Sequence, residues 1–365
     1  MLCRAAGAGR LTRSESRART DGSDVLFISP APDIAPGEAS AIAAGTYGIK
    51  ASAQALTSER DRNFHLRSDD GRDFVLKITN AAEEPLVSHM QTAAMLHIES
   101  AAPTLPIPRV CRTLEGDIAT DFRDGERRHT VRLFTYLDGE PLYRIDPSMG
   151  LVAELGRSLA LLGLALHDFD HPAASRELLW DLRQARGLHR YLDHVDNHDL
   201  RTAATLVLDR HDAVGAPLQA RFRAQVLHND FNPHNILVDS SEDARISGII
   251  DFGDMVHTAL VNDLAVALSY QVEGENWLQR ASIFLAAFHS VRPLFRTEID
   301  HLFDLVMLRQ VMTIAITSWR AALYPDNAAY ILRNRPRAIS ALEGMSVMGR
   351  DKGTQHFLEA CGMAK

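Results

Sequence analysis

The sequence predicts an α+β fold of two lobes, a strand-rich N-terminal lobe and a larger, mainly helical C-terminal one. Three observations carry this. Short runs of strand formers dominate up to Leu137, helical patterns dominate beyond Gly139, and one strand-rich island within 226–250 interrupts the helices. At 46% hydrophobic and 24% charged, the 365 residues suffice for one large domain or two lobes sharing a cleft.

Pro36-Gly37-Glu38 followed by small apolar residues predicts a short helix from about 33 to 44. Strands are expected at 49–56, 63–67 and 74–78, and Asp70-Gly71 is a tight-hairpin signal between the last two. A helix over 83–99 follows, with Leu86, Met90, Ala94 and Ile98 at three-to-four spacing. Strands at 110–114, 118–122 and 130–137 complete the first half, closed by Asp138-Gly139. In the second half, helices are expected at 149–168, 184–194, 200–209, 264–270, 277–289, 299–323 and 328–342. The island holds strands at 226–227, 236–238 and 246–250. The division is therefore a tail at 1–24, an N-terminal lobe at 25–137 and a C-terminal lobe at 138–365.

The net charge of -8, from 47 acidic against 39 basic residues, argues against a nucleic-acid partner and suits a cationic one. Cys3, Cys111 and Cys361 are too scattered for a disulfide framework, which points to a reducing cytoplasm. The most apolar stretch, 159–166, is interrupted by Gly163 and followed by His167 and Asp168, well short of the roughly 20 residues of a membrane span. No membrane partner is expected. Arg4, Arg10, Arg13, Arg17 and Arg19 face only Glu15 in the first twenty residues, with no apolar core for a secretory signal, so a disordered tail is expected there.

The island carries the chemistry. It reads His228-Asn229-Asp230-Phe231-Asn232-Pro233-His234-Asn235, then Asp251-Phe252-Gly253-Asp254 about twenty residues on. Phosphoryl transfer needs a carboxylate to align the acceptor hydroxyl and metal ions to neutralise charge across the phosphates. Asp230 can supply the first, and Asn235 with Asp251 the second, which calls for Mg2+. H-x-D-x-x-x-x-N and D-F-G in this order, each at a strand boundary, match the kinase signature set. His228 is expected to bond backbone near the D-F-G turn. Asp254 can add to metal binding or face the acceptor. His194 and His198, four apart, lack a third zinc ligand, and no G-x-S-x-G elbow supports a hydrolase.

On these residues, with Asp263-Leu264-Ala265 and the run from His171-Pro172-Ala173 to Trp180-Asp181, the chain resembles the aminoglycoside phosphotransferase and choline kinase superfamily. The catalytic loop of that superfamily is typically H-G-D-x-x-x-x-N, and within it the chain looks most like the hydroxylysine kinase group. The resemblance covers the chain from about Ile34 onward. It implies a protein-kinase-like fold in which Lys77, a single charge in an apolar strand, touches the α- and β-phosphates. Gln91 stands where the partner of that lysine is commonly Glu; Glu83 or Glu84 is the alternative. The hairpin 57–63, with Ser58, is implied to cover the phosphates, although no G-x-G-x-x-G precedes Lys77. The stretch 133–139, with Thr135 and Leu137, is implied to be the hinge whose backbone holds the base.

The donor is then ATP or GTP, and the acceptor is a hydroxyl of an amino alcohol, hydroxylysine first. Aminoglycosides, homoserine, choline and ethanolamine remain alternatives, as does a catalytically silent kinase-like binding module. Trp180 and Asp181, an aromatic face beside a carboxylate, suit an amine, with core packing as the leading alternative for Trp180, and Asp254 is a further candidate for the amine.

Overall fold

The computed structural model describes residues 29–363 except 59, 242 and 243. The tail 1–24 and Cys3 lie outside the described residues. The first helix, α1 (Pro36–Tyr47), opens on a proline whose fixed φ suits the first turn, and the Glu38 carboxylate accepts the Ala35 N–H at 2.9 Å. Gly48 ends it in the left-handed conformation, at φ 69°.

Strands β1 (Ala51–Leu56), β2 (Arg62–Ser68) and β3 (Asp73–Ile78) form an antiparallel meander. Alternation buries Phe64, Leu66, Phe74, Leu76 and Ile78 on one face, and the same period of two turns Lys77 to the other. Helix α2 (Pro85–Ala101) buries Val87, Met90, Ala94 and Ile98. Leu86, expected on that stripe, is 48% exposed; the buried face runs one residue further on, through Val87. Strands β4 (Val110–Cys111), β5 (Thr120–Asp124) and β6 (Arg127–Thr135) complete the sheet in the order β1-β2-β3-β6-β4, with β5 paired on β6. Ile34, Tyr47, Phe64, Leu76 and Val131 share one apolar core between α1 and the sheet, whereas α2 joins the larger core of the helical half.

The second half runs through β7 (Glu140–Pro141), α3 (Met149–Ala165) and α4 (His198–Arg210) to β8 (Ala224–Leu227), β9 (Ile236–Val238), β10 (Ile246–Ile249) and β11 (Val256–Ala259). Five longer helices, α5 (Leu260–Ser269), α6 (Trp277–Val291), α7 (Arg296–Leu323), α8 (Arg335–Met348) and α9 (Arg350–Ala360), and a short one, Ala328–Ile331, close the described fold. The small strands form two sheets, β10-β9-β7 and β11-β8. Three expectations are corrected here. The segment expected as a helix at 184–194 is a 3-10 run, Leu182–His194, capped by the Asp181 side chain. The helix expected at 328–342 is interrupted by a turn, Leu332–Asn334, and restarts at Arg335, where Pro336 can sit because a first turn needs no N–H from it. Strands β7 and β11 are too short, at two and four residues, to show a period, and were not expected.

Candidate active site

The loop between β8 and β9 holds its side chains through local bonds. Asp230 Oδ2 accepts from Asn235 Nδ2 at 2.7 Å and Oδ1 from Asn232 Nδ2 at 2.8 Å. The residue before it, Asn229, has φ 62°, a left-handed conformation that Asn tolerates better than other side chains, and its N–H donates to buried Asp263 at 2.7 Å. Gly, which the superfamily resemblance puts at this position, adopts the same conformation freely. The buried His228 ring contacts the Ile250 carbonyl at 3.2 Å, and its Nδ1 accepts the Asp230 N–H at 3.3 Å, a scaffold role. Burial and the nearby Asp254 charge push the Asp230 carboxyl up to about 7, with Arg309 pulling against them.

Asp251 lies just beyond β10 at φ 60°; it and Asn229 are the two non-glycine residues with positive φ among the described residues. One Asp251 oxygen accepts the Gly253 N–H at 3.1 Å, while the residue as a whole stays exposed to the cleft. Asn235 uses its Nδ2 on Asp230, which leaves Oδ1 as an acceptor, and its carbonyl accepts the Ile250 N–H at 2.9 Å, tying the two segments together. Among the described residues no group of three or more His, Cys, Asp or Glu side chains could hold a metal by itself. One carboxylate and one amide oxygen suit Mg2+, which takes one or two protein ligands together with substrate phosphates.

The small lobe departs from expectation. Lys77 pairs with Asp61, on the β1–β2 hairpin, at 3.0 Å, with both side chains largely sheltered. Gln91, expected to bond Lys77, instead accepts from the fully buried Arg132 at 2.9 Å and donates towards Glu83 and the Gly253 carbonyl, both at 3.4 Å. Arg132 sits directly across the β3–β6 ladder from Lys77, so a second buried cation claims the helix-side acceptors. Ser58 is half-buried in the hairpin. The Thr135 N–H is donated to the Arg109 carbonyl at 2.9 Å, so it is not left for a base. Leu137, past the last pair of β6, is half-buried beside Gly248, where an added Cβ would stand 3.1 Å from its side chain.

On the acceptor side the three named candidates already have partners. Asp254 is bound by Arg60 Nη2 at 3.0 Å; burial would raise its carboxyl, but Arg60 and Arg176 hold it below the usual range. Asp181, fully buried, accepts from Arg183 Nε at 2.6 Å and the Thr258 hydroxyl at 2.9 Å, so it is a structural cap and not an exposed amine anchor. The Trp180 ring is covered by the Arg309 guanidinium, 5.0 Å from its centroid. Arg309, on α7, stands 3.9 Å from Asp230. Arg309 was not singled out in the sequence, and Arg60, Asp61 and Asp263 lay within the 57–63 hairpin and the Asp263-Leu264-Ala265 run without roles of their own, because only tertiary contact reveals their partners.

The profile of the phosphotransferase enzyme family (APH) matches residues 52–283. The chain belongs to that family. It is 31% identical over 348 residues to the hydroxylysine kinase of Mus musculus, covering 88% of this chain and 92% of that one. It is 28% identical to the hydroxylysine kinase of Danio rerio, covering 90% and 96% of the two chains. Among solved structures it resembles a microcompartment-associated aminopropanol kinase, with TM-score 0.67, 17% identity, and coverage of 86% and 98%. The fold is thus the two-lobed, protein-kinase-like α+β fold, and the chain is a small-molecule kinase that uses an alcohol group as acceptor. No helix among the described residues is long and apolar enough to cross a membrane.

Proposed function

We propose that this family member transfers the γ-phosphoryl group of ATP or GTP to the hydroxyl of a small amino alcohol, hydroxylysine or a close analogue. The single observation that carries the chemistry is the convergence of Asp230, Asn235 and Asp251 at one edge of the cleft, where burial raises the Asp230 carboxyl above the usual range. A carboxylate so tuned takes the proton of the acceptor hydroxyl as its oxygen attacks the γ-phosphorus and the bond to the leaving nucleotide breaks. Asp251 and the Asn235 amide oxygen would hold Mg2+, which supplies charge neutralisation across the phosphates. Lys77, oriented by Asp61, serves the α- and β-phosphates, and the backbone at Leu137 serves the base. Similarity to hydroxylysine kinases along nearly the whole chain supports the acceptor class. A reducing cytoplasm suits the free thiols of Cys111 and Cys361.

The test is a panel of amino alcohols, neutral polyols and aminoglycosides, assayed for nucleotide consumption with ATP and GTP separately. Hydroxylysine-type acceptors should lead in kcat/KM by at least about tenfold over polyols, as one ionic contact in the cleft provides. Equal turnover of neutral polyols would remove the amine requirement, and no consumption with any acceptor would remove the acceptor class.

A further inference from the structure

The β1–β2 hairpin, which the kinase reading sets over the phosphates, has no glycine between Leu56 and Arg62, and so lacks the closely approaching backbone by which Gly-rich loops hold phosphates. It carries a guanidinium instead. Arg60 sits at the hairpin tip next to Asp61, whose carboxylate binds Lys77 at 3.0 Å. From there Arg60 crosses to the large lobe and binds Asp254 at 3.0 Å. Its Nη2 lies 3.5 Å from where a side chain on Gly253 would begin, over the turn that carries Asp251. Two adjacent hairpin residues thus reach the phosphate lysine on one side and the metal-binding turn on the other.

We propose that Arg60 is a phosphate clamp: it exchanges Asp254 for the terminal phosphate of a bound nucleoside triphosphate and stabilises the charge on the transferring group. The assignment rests on the kinase reading above and adds a residue to it. The guanidinium already stands between Lys77, which would serve the inner phosphates, and the turn of Asp251, which would hold the metal. Its planar fork matches phosphate oxygens in paired hydrogen bonds, and a dianionic phosphate next to a cation-binding turn competes well with a single carboxylate. The exchange has a second consequence. Asp254, released from Arg60 and left with the charges of Arg176 and Arg309, gives up its direct ion pair only once triphosphate is bound and can then take the ammonium of the acceptor in its place.

Equilibrium binding of Mg·AMP-PNP and Mg·ADP to the full chain without acceptor tests this. Arg60→Gln should weaken AMP-PNP binding about tenfold or more while ADP binding moves less than twofold, because only the triphosphate carries the clamped group. Arg60→Lys, which keeps the charge and loses the fork, should recover part of that ratio. Equal losses for both nucleotides, or no loss for either, in Arg60→Gln with an unchanged melting temperature would overturn the clamp. Binding is read without acceptor, so an error in the acceptor class leaves the ratio intact. A wild-type chain that binds neither nucleotide would overturn both readings together.

Discussion

In the large lobe, Asp230 and Asn235 bond one another within a single loop, the Asp251 segment is tied to that loop through the Ile250 N–H and the Asn235 carbonyl, and buried His228 and Asp263 brace the two. In the small lobe, Lys77 keeps its place on β3 but takes its carboxylate partner from the neighbouring hairpin, while Gln91 on α2 turns to Arg132. The contrast teaches that side chains held by local backbone geometry stay readable as a motif. A charge partner, by contrast, can be supplied from any element that reaches the same few ångströms. An anion beside Lys77 is what the physics requires, since an unpaired buried ammonium is costly. Which residue supplies it is a matter of packing.

Substitutions on the two sides should separate them. Asp230→Asn should leave nucleotide binding near wild type and lower turnover by about 10² or more, as loss of the proton acceptor does; near-normal turnover would take Asp230 out of the mechanism and end the contrast. Asp61→Asn should reduce kcat/KM about tenfold, the scale of one charge-assisted bond. Gln91→Ala should cost less activity and more stability, because it removes an acceptor from buried Arg132. If Gln91→Ala is the more damaging to kcat/KM, the helix and not the hairpin orients Lys77.

The acid limb of kcat/KM should lie near pH 7, with activity falling as pH drops and Asp230 takes up a proton. Arg309 favours the ionised form, so Arg309→Gln should move that limb to higher pH. An unmoved limb would separate Arg309 from the titrating group. The smallest effect concerns the loop itself. Asn229→Ala should lower unfolding stability by about 1 kcal/mol because of its positive φ, and Asn229→Gly should not, as denaturant titration will resolve.

Much of this molecule was legible beforehand, for identifiable reasons. The strand meander and the α2 stripe follow from periods of two and 3.6, which a chain shows wherever one face is buried, and the strand island from short apolar runs set between polar loops. The short elements β7 and β11 and the 3-10 run at Leu182–His194 carry no period long enough to read. Trp180 and Asp181 drew attention as adjacent aromatic and acid, yet adjacency says nothing of direction, and both are engaged by Arg309, Arg183 and Thr258.

By itself, the sequence determined the fold class and the candidate catalytic segments, because Asp230, Asn235 and Asp251 are set by turns whose residues are contiguous. Only the tertiary structure decided the pairings Lys77 with Asp61, Gln91 with Arg132, Asp254 with Arg60, and Arg309 with Asp230. Each joins residues separated along the chain by at least one turn or a whole lobe, and Coulombic attraction depends on distance in space, to which spacing in sequence is no guide.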